Sequence, residues 1–364
     1  MLYLGVSFAD ATIYGTFDQA YQSDKVTFQA GLSNSKKGIS SSLNGGNALG
    51  FKGNEDLGNG LNASFVIEFG MEASDSMSGF SAAGSNTLLG TATSTANVVS
   101  NGVSNRQSFV GLSGGFGSVK IGKQYSEVFN AACAYDLGGC AAVVGSLPMA
   151  IISDADQDVR RSNQVNFSLP KFVDGLSINV GKSFGEAVKV GARATNNAGD
   201  GTNYSISYRT GGFAGTIASE TLDNTDVHPY LGPVNLVSDA TNSAANKKKT
   251  SVTGLSYDIS GMAKVSYTSA KAVIGTGSVK ANSYGVSVPV GDALVAYEMS
   301  TGDLKGFAAG ATTSKLKASQ MIFNYALSKR TMAYFRQGSH TENTAAGVNA
   351  VKISTTAFGL QHGF

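Results

Sequence analysis

No stretch of this chain reaches the roughly 18 uninterrupted apolar residues that a membrane-spanning helix requires, so a helical membrane protein is excluded. Charge is also scarce. Only 14% of residues are charged, against about 25% in ordinary soluble domains. The net charge of +2 and the lack of a basic stripe with interleaved aromatics argue against a nucleic-acid partner. Lys247, Lys248 and Lys249 form the only basic run, in a polar stretch that reads as a solvated loop tip. There is no Trp and there are 5 Pro among 364 residues, with a mean hydropathy of −0.01, which is not that of a disordered chain. A membrane protein without spanning helices must be a closed barrel, because every backbone polar group in lipid needs an internal partner.

Catalytic signals are equally thin. The three His (His228, His340 and His362) are scattered, and no local motif supports a Ser/His/Asp hydrolase. The run 117–124 is one residue from a phosphate-binding loop, but Gln124 stands where Ser or Thr must hold magnesium. The run 154–158 opens like a calcium loop, yet Val159 replaces the turn-forming Gly and Val165 the closing Glu. That excludes an EF-hand, though not weak divalent binding. No enzyme, cofactor or dedicated metal site is expected. Cys133 and Cys140, the only cysteines, can close a small loop in an oxidising compartment. Without a partner His or Cys they make a poor zinc site.

What the chain does have is period-2 alternation. Leu61, Ala63, Phe65, Ile67 and Phe69 share one face, as do Tyr204, Ile206 and Tyr208, and Met321, Phe323, Tyr325 and Leu327. The last strand sets Phe358, Leu360, His362 and Phe364 against Ala357, Gly359, Gln361 and Gly363. In a soluble sheet the greasy face looks inward; in a membrane barrel it looks outward, to lipid. Short turns near 54–60, 114–116, 170–175, 210–212, 259–261, 289–292 and 328–330 alternate with longer links. Those links lie near 22–39, 72–105, 126–160, 195–201, 222–250, 272–279, 302–314 and 340–351. Seven turns and eight links join sixteen strands, about 22 residues for each strand with its link, which suits spanning strands of about 9–11 residues. The expected fold is all-β: one 16-stranded antiparallel transmembrane barrel with short periplasmic turns and long extracellular loops. Residues 10–364 form one domain, and 1–9 read as the remnant of a secretory signal or an N-terminal extension.

Several segments are specific enough to name a family. TIYG (12–15), LGFKGNEDLGNGLNASFVIE (49–68), RQSFVGLSGGFGSVKIGKQ (106–124), RSNQVNFSLPK (161–171), YALSKRT (325–331) and the terminal HGF, in this order, resemble the general porins of Gram-negative outer membranes, in the branch ending His-x-Phe. The resemblance implies a homotrimer in the outer membrane, among outer-membrane lipid and lipopolysaccharide. It also implies insertion by the barrel-assembly machinery, with Phe364 as the terminal signal. Each barrel would enclose a passive channel for small hydrophilic solutes and ions, narrowed by an inward third loop at about 126–160. Bases on the wall would face acids on that loop. The wall bases are Arg106, Arg161, Lys52 and Lys120, and the loop acids are Glu127, Asp136, Asp154, Asp156 and Asp158. Ala48 stands where the family usually has a base, which thins the wall cluster. The competing readings are a substrate-selective channel on the same barrel, a surface receptor or adhesin with a shut lumen, and a soluble secreted β-protein.

Overall fold

The computed structural model describes residues 11–28, 31–71, 104–140, 145–152, 159–185, 200–223, 247–274, 277–305, 313–343 and 349–364. The first strands are β1 (Thr12–Phe28), β2 (Ser33–Ser41), β3 (Ala48–Gly58), β4 (Leu61–Gly70), β5 (Ser104–Gly114) and β6 (Gly117–Tyr125). Two helices follow, α1 (Glu127–Cys133) and α2 (Leu147–Ile152). The middle strands are β7 (Arg160–Ser168), β8 (Leu176–Ser183), β9 (Gly201–Thr210), β10 (Phe213–Leu222), β11 (Lys248–Ile259) and β12 (Ala263–Ile274). The last are β13 (Gly277–Val290), β14 (Ala293–Lys305), β15 (Thr313–Ala326), β16 (Thr331–Asn343) and β17 (Asn349–Gly363).

From β3 onward each strand pairs antiparallel with the next, β1 pairs with both β2 and β3, and β17 returns to pair with β1, which closes the sheet into a barrel. Gln19–Thr27 of β1 pair with β2, whereas Thr12–Thr16 pair with β3 on the same side. β2 and β3 are therefore two halves of one broken stave. The seventeen segments make a sixteen-stave barrel.

The barrel is inside out relative to a soluble protein. On β17, Phe358 and Leu360 are exposed on the outer wall, while Thr355 and Ala357 are buried within. Tyr284, Val286, Val288 and Val290 on β13 repeat the pattern against buried Ala281 and Ser283. With the strand backbones paired in ladders, the greasy face meets lipid and the polar face lines the lumen. At one end the strands turn tightly. Asn59 (φ 53°) and Gly60 (φ 75°) form the two-residue, positive-φ hairpin that the right-handed twist of the flanking strands favours.

The seam closes on an aromatic. Gly15 and Phe364 exchange two backbone hydrogen bonds, of 3.0 and 3.1 Å, and the Phe364 ring lies where any Cβ on Gly15 would project. Two links differ from expectation. β1 runs to Phe28 and β2 begins at Ser33; β12 ends at Ile274 and β13 begins at Gly277. The stretches 22–39 and 272–279 are thus mostly strand. Their Ser, Thr and Lys residues suit a ladder that rises beyond the apolar belt, so polarity there did not mark loops.

Candidate functional site

The segment after β6 enters the lumen and docks on the inner wall. Ser126 caps α1, its Oγ accepting the Phe129 N–H at 3.3 Å. Val128, Phe129, Ala131 and Ala132 of α1, with Leu147, Met149, Ile151 and Ile152 of α2, pack on an apolar patch of the inner wall. The wall supplies mostly small residues, among them Ala218, Val252, Ala270, Ala272, Val279 and Ala281. Two wall glycines make sockets: a Cβ on Gly254 would strike the Tyr135 ring, and one on Gly285 the Leu137 side chain. Tyr135 is buried and shares a 2.7 Å hydrogen bond with Thr216 of β10. Farther along, Ser300 of β14 donates to the Gly145 carbonyl at 3.0 Å and accepts from the Leu147 N–H at 3.4 Å.

A second segment turns inward where the broken stave parts. Residues 42–47 carry no ladder pairing, and Leu43 packs on Ala20, Tyr334 and Ala357 of the inner wall. Asp18, fully buried, accepts from the Asn44 N–H and the Tyr334 hydroxyl, both at 2.6 Å. Arg336 donates to Asn44 Oδ1, and Asn44 Nδ2 donates to Gln361 at 3.1 Å. At Gly139, a Cβ would sit 3.6 Å from the Asn44 carbonyl oxygen, so the third loop meets this second inward segment. Nothing in the alternation announced it; the pair Gly45-Gly46 was its only local signal.

Facing these segments is a ladder of bases and aromatics on β1 and β3–β7. The Lys52 ammonium sits 5.1 Å from the centre of the Tyr14 ring. The Tyr14 hydroxyl donates to Glu68 at 3.0 Å, and Glu68 accepts from Arg106 Nε at 2.7 Å. Arg106 and Arg160 both donate to the Tyr125 hydroxyl, at 2.9 and 2.7 Å. Tyr125 in turn stacks on Phe129 of α1, with ring centres 4.7 Å apart. A bulge between Glu68 and Phe69 in the β4–β5 pairing leaves Arg106 unpaired in the ladder and lets it reach inward. Lys120 and Arg209 line a cavity of about 410 Å³ between α1 and β5–β10, together with Glu127, Asn130 and Asn166.

All four predicted wall bases therefore lie on the inner side, but two have partners on the wall itself. Arg106 pairs with Glu68, and Arg161 forms a two-bond pair with Glu220 of β10, at 2.9 and 2.5 Å, almost fully buried. Glu127 is held against the wall, accepting from Asn166 at 3.0 Å and Ser205 at 2.5 Å. Asp136 is buried in the loop and accepts the Cys140 N–H at 2.8 Å. Burial pushes its carboxyl above the usual range, opposed by that hydrogen bond and by the charge of Arg336. Asp154, Asp156 and Asp158 lie outside the described residues. Cys133 and Cys140 face each other with Cα atoms 5.0 Å apart, within disulfide reach. Sequence reasoning missed Arg160, Arg209, Arg336, Glu68 and Glu220 as lumen residues. Parity alone would have found Arg209, which shares a face with Ser205 and Ser207.

A family model described as Gram-negative porin matches residues 4–345. The outer membrane porin protein 32 of Delftia acidovorans is 29% identical over 343 residues, covering 90% of this chain and 84% of that one. A major outer membrane protein P.IB of Neisseria gonorrhoeae is 32% identical over 165 residues, so the match spans 45% of this chain and only 40% of that relative. Among solved structures, an anion-selective porin from Comamonas acidovorans superposes with a TM-score of 0.74 at 20% identity, over 98% of this chain and 100% of that one. Vibrio cholerae OmpT in its trimer form follows at 0.61 and 12% identity, over 98% and 99% of the two chains. With a sixteen-stave barrel, a greasy outer wall and a family match over nearly its whole length, the chain belongs to the Gram-negative porins of the outer membrane.

Proposed function

We propose that this protein is a passive diffusion channel for small hydrophilic solutes and ions, weakly selective for anions and working as a homotrimer. The carrying observation is the ladder from Lys52 to Arg160, running beside two inward segments that it touches at Phe129 and Gly46. A pore without a catalytic centre acts through its diameter and the field across its narrowest section. Arg106 and Arg161 are largely offset by Glu68 and Glu220. The field that solutes meet comes instead from Lys52, Lys120 and Arg209, which have no ion-pair partner among the described residues. The acids assigned to the opposing side from the sequence are Asp136 and, later in the same loop, Asp154, Asp156 and Asp158. A Cys133–Cys140 disulfide would brace the turn that holds Asp136. Phe364 would serve as the signal read by the barrel-assembly machinery.

Planar-bilayer recording tests this. The expected result is stepwise opening in multiples of three, with conductance linear in voltage and unsaturated in salt. Complete absence of openings contradicts the channel. Saturation by one solute would replace it with a substrate-selective pore on the same barrel.

A further inference from the structure

The third loop reaches across the lumen through one short stretch, bounded by Cys133 and Cys140, seven residues apart. The Tyr135 ring takes the place of a Cβ on Gly254 of β11, and the Leu137 side chain the place of one on Gly285 of β13. At Gly139 the same stretch meets the Asn44 carbonyl of the other inward segment. Asp136, between them, accepts the Cys140 N–H at 2.8 Å and lies beside the Arg336 guanidinium. The flanking helices have holds of their own. Ser126 caps α1, and Ser300 engages Gly145 and Leu147 at the start of α2.

Local structure does not by itself explain the shape of this stretch. Helical hydrogen bonding carries the chain to Asp136, whose N–H donates to the Ala132 carbonyl at 3.1 Å. The return is made by Gly139 (φ 75°) and Cys140 (φ 62°), both left-handed. A residue with a Cβ is uncommon in that region and stays there only where its surroundings impose it. At Cys140 the imposing contacts are two. Its N–H is held by Asp136, and its side chain faces Cys133 across a Cα separation of 5.0 Å. Closing so short a loop with a disulfide removes many of the conformations otherwise open to it. Both cysteines are half-buried in the lumen, so a small solute in the pore can reach them.

We infer that Cys133 and Cys140 form a redox-operated clasp on the third loop. Oxidised, the disulfide keeps Tyr135 and Leu137 in their wall sockets; reduced, the stretch relaxes and the conductance of the pore changes. The reductant is a dithiol small enough to enter the lumen. One of its thiolates attacks a clasp sulfur, breaking the S–S bond, freeing one cysteine and forming a mixed disulfide. Its second thiolate then attacks its own sulfur in that mixed bond and releases the other cysteine. Two electrons and two protons pass to the protein, leaving two cysteine thiols and the cyclic disulfide of the reductant. The conductance change rests on the channel reading; the release of the stretch does not.

The test compares the full-length protein as isolated and after dithiothreitol, with thiol alkylation and intact mass reporting each redox state. On reduction, amide hydrogen exchange should quicken on the order of tenfold across residues 127–140 and stay unchanged in the strands. In a planar bilayer, dithiothreitol should shift the single-channel conductance and raise current noise, and an oxidant should restore both. The variant C133S/C140S should show the reduced-state conductance and ignore both reagents. If that variant fails to assemble, the reagent arms on the parent decide. Cysteines that no oxidant joins, or unchanged exchange after complete reduction, would overturn the clasp. So would unchanged conductance in an open, fully reduced channel. Faster exchange in a barrel that never opens would uphold the clasp and remove the channel.

Discussion

At the scale of single residues, the lumen is governed by which bases already have partners. Arg161 reaches from β7 past two strands to Glu220 on β10, and both are nearly sealed from solvent. Removing one partner of such a pair leaves a buried charge uncompensated. Arg161→Met should therefore destabilise the barrel by about 3–5 kcal/mol, read as earlier thermal unfolding in detergent. The double variant Arg161→Met/Glu220→Leu should recover most of that loss. A single variant as stable as the parent would mean that the pair is solvated. The inward direction of Arg161, Arg106, Lys52 and Lys120 was readable from strand parity and resemblance. Their acids were not, because Glu68 and Glu220 lie 38 and 59 residues from their partners.

At the scale of elements, legibility tracked the apolar belt. Tyr204, Ile206 and Tyr208 alternate cleanly and form β9, and Asn59-Gly60 makes the turn it suggests. Beyond the belt the ladder continues on Ser, Thr and Lys, so the end of β1, most of β2 and the residues joining β12 to β13 read as loop. The path of the third loop was invisible for a different reason. It is fixed by small residues on distant strands, each ordinary in its own strand. Gly254 shows the principle, since its missing Cβ is the space that the Tyr135 ring occupies. Gly254→Leu should expel Tyr135 and loosen α1, while the outer wall stays paired. The expected readout is a changed single-channel conductance with more current noise, and an unchanged unfolding temperature. Tyr135→Ala should give the same conductance phenotype. Wild-type conductance and noise in both variants would place the narrowest section elsewhere.

At the scale of the whole molecule, one barrel wall does two jobs on opposite faces. The outer face holds lipid through alternating apolar residues, and the inner face anchors two inward segments on β10–β15 and on β1, β16 and β17, beside a base-rich arc from β3 to β9. The bases without an ion-pair partner among the described residues, Lys52, Lys120 and Arg209, lie in that arc. The buried acids Asp136 and Glu298 lie away from it, on the loop and β14, with Arg336 of β16 beside them. That uneven distribution is the central claim, and Ala48 sits at its edge, buried on the lumen side with Gly50 and Lys52. The most direct measurement is the reversal potential across a bilayer in a salt gradient, for the parent and for Ala48→Arg. The parent should show a weak anion preference, and Ala48→Arg should strengthen it. A cation-selective parent, or a reversal potential that Ala48→Arg leaves unchanged, would contradict the account.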